Sequence, residues 1–146
     1  SQVVLYLYFV YNKNVTIISK CSMIRKYLEI TGTPEDAYEL KDNLDNLTFI
    51  ETEHVKYLDT YGFKINVDGK NIIYTGDTKI LDPFLPFLDN VDEFYVDVSK
   101  YGGAHLKIDD VLDLLKKIKD KGTEVILMHL DDKKYIEKIT KDEFYI

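Results

Sequence analysis

The segment "LKIDDVLDLLKKIKDKG", residues 106–122, constrains the fold more than any other. Ile108, Val111, Leu112, Leu115 and Ile118 recur at helical spacing as one apolar stripe, acids lead, lysines trail, and Gly122 stops the run. It is flanked by "DEFYVDVS" and "TEVILMH", short β-branched and aromatic runs that read as buried strands. A helix with one apolar stripe between two such strands has to bury that stripe against a sheet. Upstream, "LTFIETE" reads as another strand, and "YGFKINV", the turn pair Asp68-Gly69 and "NIIYTGD" read as a β-hairpin. "ILDPFLPFLDNV" carries two of the three prolines and is expected to hold a short helix. Nearer the start, residues 3–11 read as helix or buried strand, which periodicity does not separate. "NVTIIS" reads as a strand, "MIRKYLEI" as a helix that Ser22 could cap, and "TGTPEDAYEL" as a turn with a short helix from Pro34. Strands that first pair locally and then alternate with helices give an α/β (α+β) layered sandwich, read as a single domain over residues 1–146.

Composition narrows the partners. A chain of 146 residues, 45% of them apolar, can bury a core. The longest apolar stretch, Val3 to Val10, falls short of the roughly 20 residues a membrane span needs, so no membrane partner is expected. A net charge of −7, with Arg25 the one arginine among 19 basic side chains, opposes tracking of a long nucleic acid. Cys21 has no partner for an internal disulfide, which points to a reducing cytoplasm; the residue itself is expected to be buried and inert. The twelve tyrosines are expected mostly in the core or at an interface.

"NIIYTGDTKILDP" poses the chemical question. A strand that looks buried ends at Gly76 and delivers a carboxylate, Asp77. A buried carboxylate is costly without a cation nearby. The three histidines, His54, His105 and His129, occupy similar places: His54 ends "TFIETEH", His129 ends "VILMH", and His105 stands between "YGG" and the strong helix. Taken singly, each has a plain reading, a satisfied structural histidine or, for Asp77, an Asx-turn in Gly-Asp-Thr. Taken together, side chains at strand ends converge on one rim of a sheet, where sites are built.

"EHVKYLDTYGFKI", "IIYTGDT", "GGAHLKIDDVLDLL" and "EVILMHLDDKKY", in this order, resemble the second half of a metallo-β-lactamase-fold hydrolase. The resemblance is to the tRNase Z-like branch, which includes the anti-Pycsar-like phage phosphodiesterases that destroy cyclic nucleotide defence signals. It covers about residues 47–135 and implies an αββα sandwich of which this chain supplies the C-terminal portion. It also implies two divalent metal ions, Zn²⁺ or alternatively Mn²⁺, bridged by Asp77, with His54 serving the first and His129 the second. Such ions lower the pKa of water toward about 7 and neutralise phosphoryl oxygens. His105 would bind the substrate phosphate or protonate the leaving oxygen. Tyr101, beside Gly102-Gly103, would place a ring over a nucleobase, and Lys107 would hold a phosphate as a point charge.

The sequence departs from that pattern in ways that sharpen it. The family's His-x-His-x-Asp-His signature is absent, since no histidine precedes His54. The expectation is that the N-terminal metal-binding half lies outside this chain, that residues 3–11 form the helix the signature leads into, and that the chain alone is inactive. The 23-residue gap from His54 to Asp77 is filled by the hairpin, with no room for a tRNA-gripping arm. The expected substrate is therefore a small phosphodiester such as a cyclic mononucleotide (cCMP, cUMP, cAMP or cGMP type), met in a host cytoplasm if the protein is phage-encoded. The family often dimerises, so a homodimer is expected. The alternatives are tRNA 3′ processing, a lactamase- or thioesterase-like hydrolase, or a metal-free binding module. "DD" at 131–132, just after His129, could support that histidine from behind but is read first as a solvated turn.

Overall fold

The apolar run at the start is a helix, α1 (Gln2–Tyr11), ended by Asn12 in the left-handed conformation, φ 51°, after which the Lys13 N–H donates to the Leu7 carbonyl. The computed structural model describes residues 1–141 and 143–146 and divides the chain into two units, Ser1–Asp45 and Asn46–Ile146.

In the first unit, β1 (Val15–Ile18) and β2 (Tyr38–Lys41) pair in parallel, Val15 against Tyr38 through Ile18 against Lys41, and α2 (Ile24–Ile30) connects them after a Met23 cap. Ser22 makes no capping bond, and the segment after Pro34 is a single 3-10 turn, Glu35–Ala37, that leads into a strand the sequence reading missed. Val4, Leu28, Ala37 and Tyr38 form a small core. Much apolar surface stays outside it: Val3, Phe9 and Val10 on α1 and Tyr27 and Ile30 on α2 are exposed. Cys21 is exposed too, because it sits in the loop after β1 and not on an apolar face.

The second unit is a five-stranded sheet in the order β3-β4-β5-β6-β7. β3 (Leu47–Thr52), β4 (Thr60–Val67) and β5 (Lys70–Tyr74) are antiparallel neighbours; Asp68 and Gly69 both take positive φ, 51° and 84°, as a two-residue hairpin turn requires. β6 (Glu93–Asp97) and β7 (Glu124–Met128) then add in parallel, with α3 (Ile108–Asp120) between them. The two prolines fall in a 3-10 turn, Asp82–Phe87, that drives Phe84 into the core. α4 (Lys133–Thr140), unforeseen from sequence, follows β7; Asp132 caps it by accepting the Tyr135 N–H, and its Ile136 is fully buried. Ile73, Phe84, Phe94, Val96, Ile108, Leu115, Val125, Leu127 and Ile136 are the heart of one core. Tyrosine contributes little: Tyr38 is the buried one among the described residues, while Tyr6, Tyr57 and Tyr101 are well exposed. No helix among the described residues is long and apolar enough to cross a membrane.

Candidate metal centre

β3 is antiparallel to β4, and β4 to β5, so β3 runs in the same sense as β5, β6 and β7. Four strands therefore end on one rim. His54 lies just past β3, Asp77 just past β5, Asp97 is the last residue of β6, and His129 follows β7 directly. His105 arrives from the loop between β6 and α3. The structure thus brings together the four residues that the sequence singled out and adds a fifth, Asp97.

The turn carrying Asp77 is shaped by its neighbours. Gly76 has φ +62°, and a Cβ there would stand 2.9 Å from the Tyr61 carbonyl, so glycine is required. Thr78, fully buried, donates its hydroxyl to the Glu53 and Ile80 carbonyls and its N–H to Asp97 Oδ2 at 2.9 Å. Thr78 therefore does the local bonding that an Asx-turn would have asked of Asp77. The Asp77 side chain is not buried as expected but 49% exposed, because the glycine turn carries it over the rim. Its Oδ2 lies 3.9 Å from His54 Nε2 and its Oδ1 3.5 Å from His129 Nδ1. The carboxylate takes part in none of the hydrogen bonds resolved among the described residues.

The histidines are oriented from behind. His54 Nδ1 is 2.8 Å from the Ala104 carbonyl, which can only accept, so Nδ1 carries the proton and Nε2 offers its lone pair toward Asp77. His105 Nδ1 lies 2.7 Å from Asp97 Oδ2 and donates to it. His129 takes a left-handed backbone, φ 57°, a conformation that costs a β-carbon residue about 1–2 kcal/mol. Its ring centroid is 4.0 Å from that of His105, whose own centroid is 4.9 Å from that of His54.

Asp97 is the residue that sequence reasoning overlooked. Its side chain is 4% exposed, Oδ2 serves both His105 and Thr78, and Oδ1 is buried without a hydrogen-bond partner, 3.6 Å from His129 Nδ1. In "DEFYVDVS" it looks like one more strand acid; the one signal was its place at the end of a strand otherwise alternating toward a dry core.

The donor set fits a divalent metal. Ligand atoms of Asp77, His105 and His129 lie within 4.8 Å of one another. Separations of 3.5–3.9 Å around Asp77 are too long for hydrogen bonds. They match the roughly 3.4 Å between two donors on one ion with bonds of about 2.0–2.2 Å at a tetrahedral angle. Each Asp77 oxygen faces a different imidazole, as a bridging carboxylate would. Tyr101 and Lys107 stand outside these contacts. Tyr101 is 72% exposed with the Lys100 ammonium 5.1 Å from its ring centroid, and Lys107 is the exposed N-cap residue of α3 and makes no side-chain cap bond. Asp131 and Asp132 do form a turn, with Asp131 exposed, and both carboxylates are also bonded to the neighbouring loop. Asp131 binds Ser99 Oγ at 2.7 Å and Lys100 N at 2.8 Å, and Asp132 pairs with Lys100 Nζ at 2.8 Å. That pairing holds the Asp132 carboxyl below its usual range and the Lys100 ammonium above its own. For Asp131, partial desolvation pushes its carboxyl up, and bonds from Lys100, Ser99 and neighbouring N–H groups bring it below the usual value.

The sequence model of the Anti-Pycsar protein Apyc1 family matches residues 12–145. Among solved structures, the metallo-β-lactamase fold protein YhfI from Bacillus subtilis is similar with a TM-score of 0.70 at 18% identity, over 98% of this chain and 66% of that one. Human tRNase Z, short form (ELAC1), is similar with a TM-score of 0.53 at 11% identity, over 82% of this chain and 60% of that one. At such identities the likeness is one of fold, which is the metallo-β-lactamase fold. The chain spans slightly under two thirds of the length of these neighbours. No curated protein matches.

Proposed function

The chain belongs to the Anti-Pycsar protein Apyc1 family, and on that premise we propose that the protein it represents is a metal-dependent phosphodiesterase that opens a cyclic mononucleotide, a defence signal, in the cytoplasm of a phage-infected host. The observation that carries the reading is the convergence of His54, Asp77, His105 and His129 on one rim, with each Asp77 oxygen facing a different imidazole. His54, Asp77 and His129 would hold two divalent ions, Zn²⁺ by the preference of imidazole and carboxylate donors, and the remaining ligands would come from outside this chain. Bound there, the metals supply Lewis acidity toward phosphate oxygens and a nucleophile at neutral pH.

The chain's own residues do the rest. Asp97 fixes the His105 ring by accepting from Nδ1, which leaves Nε2 directed at the site, where it can hold a phosphate oxygen or hand a proton to the leaving ribose oxygen. His54, locked by the Ala104 carbonyl, presents Nε2 without rearrangement. Tyr101, one face toward Lys100, leaves its ring available to a base, and Lys107 adds a cation beside the loop. The hairpin of β4 and β5 fills the chain between His54 and Asp77, which argues against a tRNA-gripping arm there and for a small substrate. A homodimer is proposed as the assembled form.

The test is hydrolysis of 3′,5′-cyclic mononucleotides by the intact protein. About two ions per chain are expected by elemental analysis, as a two-metal site requires, and Asp77→Ala is expected to abolish turnover. Undiminished turnover in that variant, or a metal-free protein with full activity, overturns the reading.

A further inference from the structure

Two loops carry the histidines nearest each other, and two side-chain pairs, Ser99 with Asp131 and Lys100 with Asp132, tie the loops together. The loop after β6 runs from Ser99 to Lys107 and delivers His105; the loop after β7 delivers His129 and runs into α4. Ser99, 3% exposed, is the hub of the first. Its hydroxyl accepts the N–H groups of Tyr101 and Gly102, each at 3.0 Å, and folds the turn that the left-handed Gly102 and Gly103 continue. Its own proton goes to Asp131 Oδ2, while Asp131 Oδ1 accepts the Lys100 N–H. The backbone of Ser99 closes the loop at its far end: its N–H donates to the Leu106 carbonyl and its carbonyl accepts from the Ile108 N–H.

The second loop has matching anchors. His129 is held before its turn by the Met128 carbonyl, which accepts from Val98 N, and after it by Leu130 against the core and by Asp131 and Asp132. A left-handed histidine persists only where both flanks are fixed. Both Asp131 oxygens are engaged by the neighbouring loop, so this carboxylate is committed to holding the loops together and not to an ion or a substrate.

We infer that Asp131 and Ser99 form a positioning latch that sets His105 and His129 relative to each other across the two loops. The inference rests on the phosphodiesterase reading for its kinetic consequence but not for its geometry. With the latch open, the rings lose their common frame, and displacements on the order of 1 Å near a reacting centre cost up to about a hundredfold in rate.

The experiment uses Asp131→Ala, Asp131→Asn, Ser99→Ala and the Asp131→Ala/Ser99→Ala double variant of the intact metal-loaded protein, assayed with a cyclic mononucleotide. Asp131→Ala is expected to lower kcat about tenfold to a hundredfold with KM and metal content near wild type. Asp131→Asn, which retains one acceptor for the Ser99 hydroxyl, should recover part of that. The double variant should lose no more than the worse single one, because the two residues act as a unit. In the metal-free intact protein, the imidazole proton resonances of His105 and His129 should move in Asp131→Ala. Unchanged kcat, additive losses, or unmoved His105 and His129 resonances overturn the latch. An inactive wild type would remove the phosphodiesterase reading alone, since the histidine resonances still decide the latch.

Discussion

The two ends of the five-stranded sheet use polar residues in opposite ways. At the end where β5 and β6 begin, polar groups are answered within the chain. Glu93 accepts from Lys70 at 2.6 Å and from the Tyr95 hydroxyl at 3.0 Å, Asp92 accepts the Asn71 N–H at 2.7 Å, and the buried Thr123 hydroxyl bonds the Val91 carbonyl at 2.9 Å. At the end where β5, β6 and β7 finish, Asp97 Oδ1 is buried with no partner, Asp77 stands between two imidazoles at more than hydrogen-bond distance, and His129 takes a strained backbone. The first end is built for stability. The second keeps acceptors in reserve, which is stable only if a cation or a ligand proton answers them. Sites announce themselves through such unfinished accounting more than through residue type.

The contrast can be broken most severely at His105. His105→Ala should cut kcat by about 10²- to 10⁴-fold, the usual worth of a positioned proton donor, with metal content held; loss of metal would recast His105 as a ligand. Next comes Asp97→Asn, which preserves shape but disturbs the bond that orients His105. It should cost about 10- to 100-fold in activity while the thermal midpoint moves only slightly; a collapse of the midpoint would place this end among structural devices like the other. At the opposite end the expected pattern inverts. Thr123→Val should leave kcat unchanged and cost about 1–3 kcal/mol in denaturant unfolding, because the Val91 carbonyl is left unanswered in a buried position.

The smallest effect is electrostatic. The bond from Lys70 and that from Tyr95 hold the Glu93 carboxyl below its ordinary value, and the same bond to Glu93 raises the Lys70 ammonium above its own. Glu93 therefore contributes stability that is present above the ordinary glutamate range, near about 4.3, and is lost as pH falls through its depressed folded value. Lys70 contributes below its ordinary range, near about 10.4, and loses it as pH rises through the raised value. Glu93→Gln should flatten the acid side of the unfolding-midpoint profile by a small amount and leave activity at neutral pH as it was.

Much of this was legible one segment at a time. The hairpin at Asp68-Gly69, α3 with its stripe and charge gradient, and the strands ending at His54, Asp77 and His129 all follow from periods and punctuation within a dozen residues. α4 was not, because its face of Tyr135, Ile136 and Ile139 is short and its cap, Asp132, sits in an acidic pair that reads equally well as a turn. β2 was masked by the proline and glycine ahead of it, and only pairing with β1 makes it a strand.

By itself, the sequence determined which side chains would stand at strand ends, since alternation and turn chemistry are local. The tertiary structure alone decided which of them share a site, that Asp77 stands half in solvent, and that Asp97 and Asp131 are the carboxylates behind the histidines. Those outcomes depend on parallel pairing of β5, β6 and β7 across the intervening turn and helix, and no local pattern encodes the partner that a buried oxygen will face once the sheet has closed.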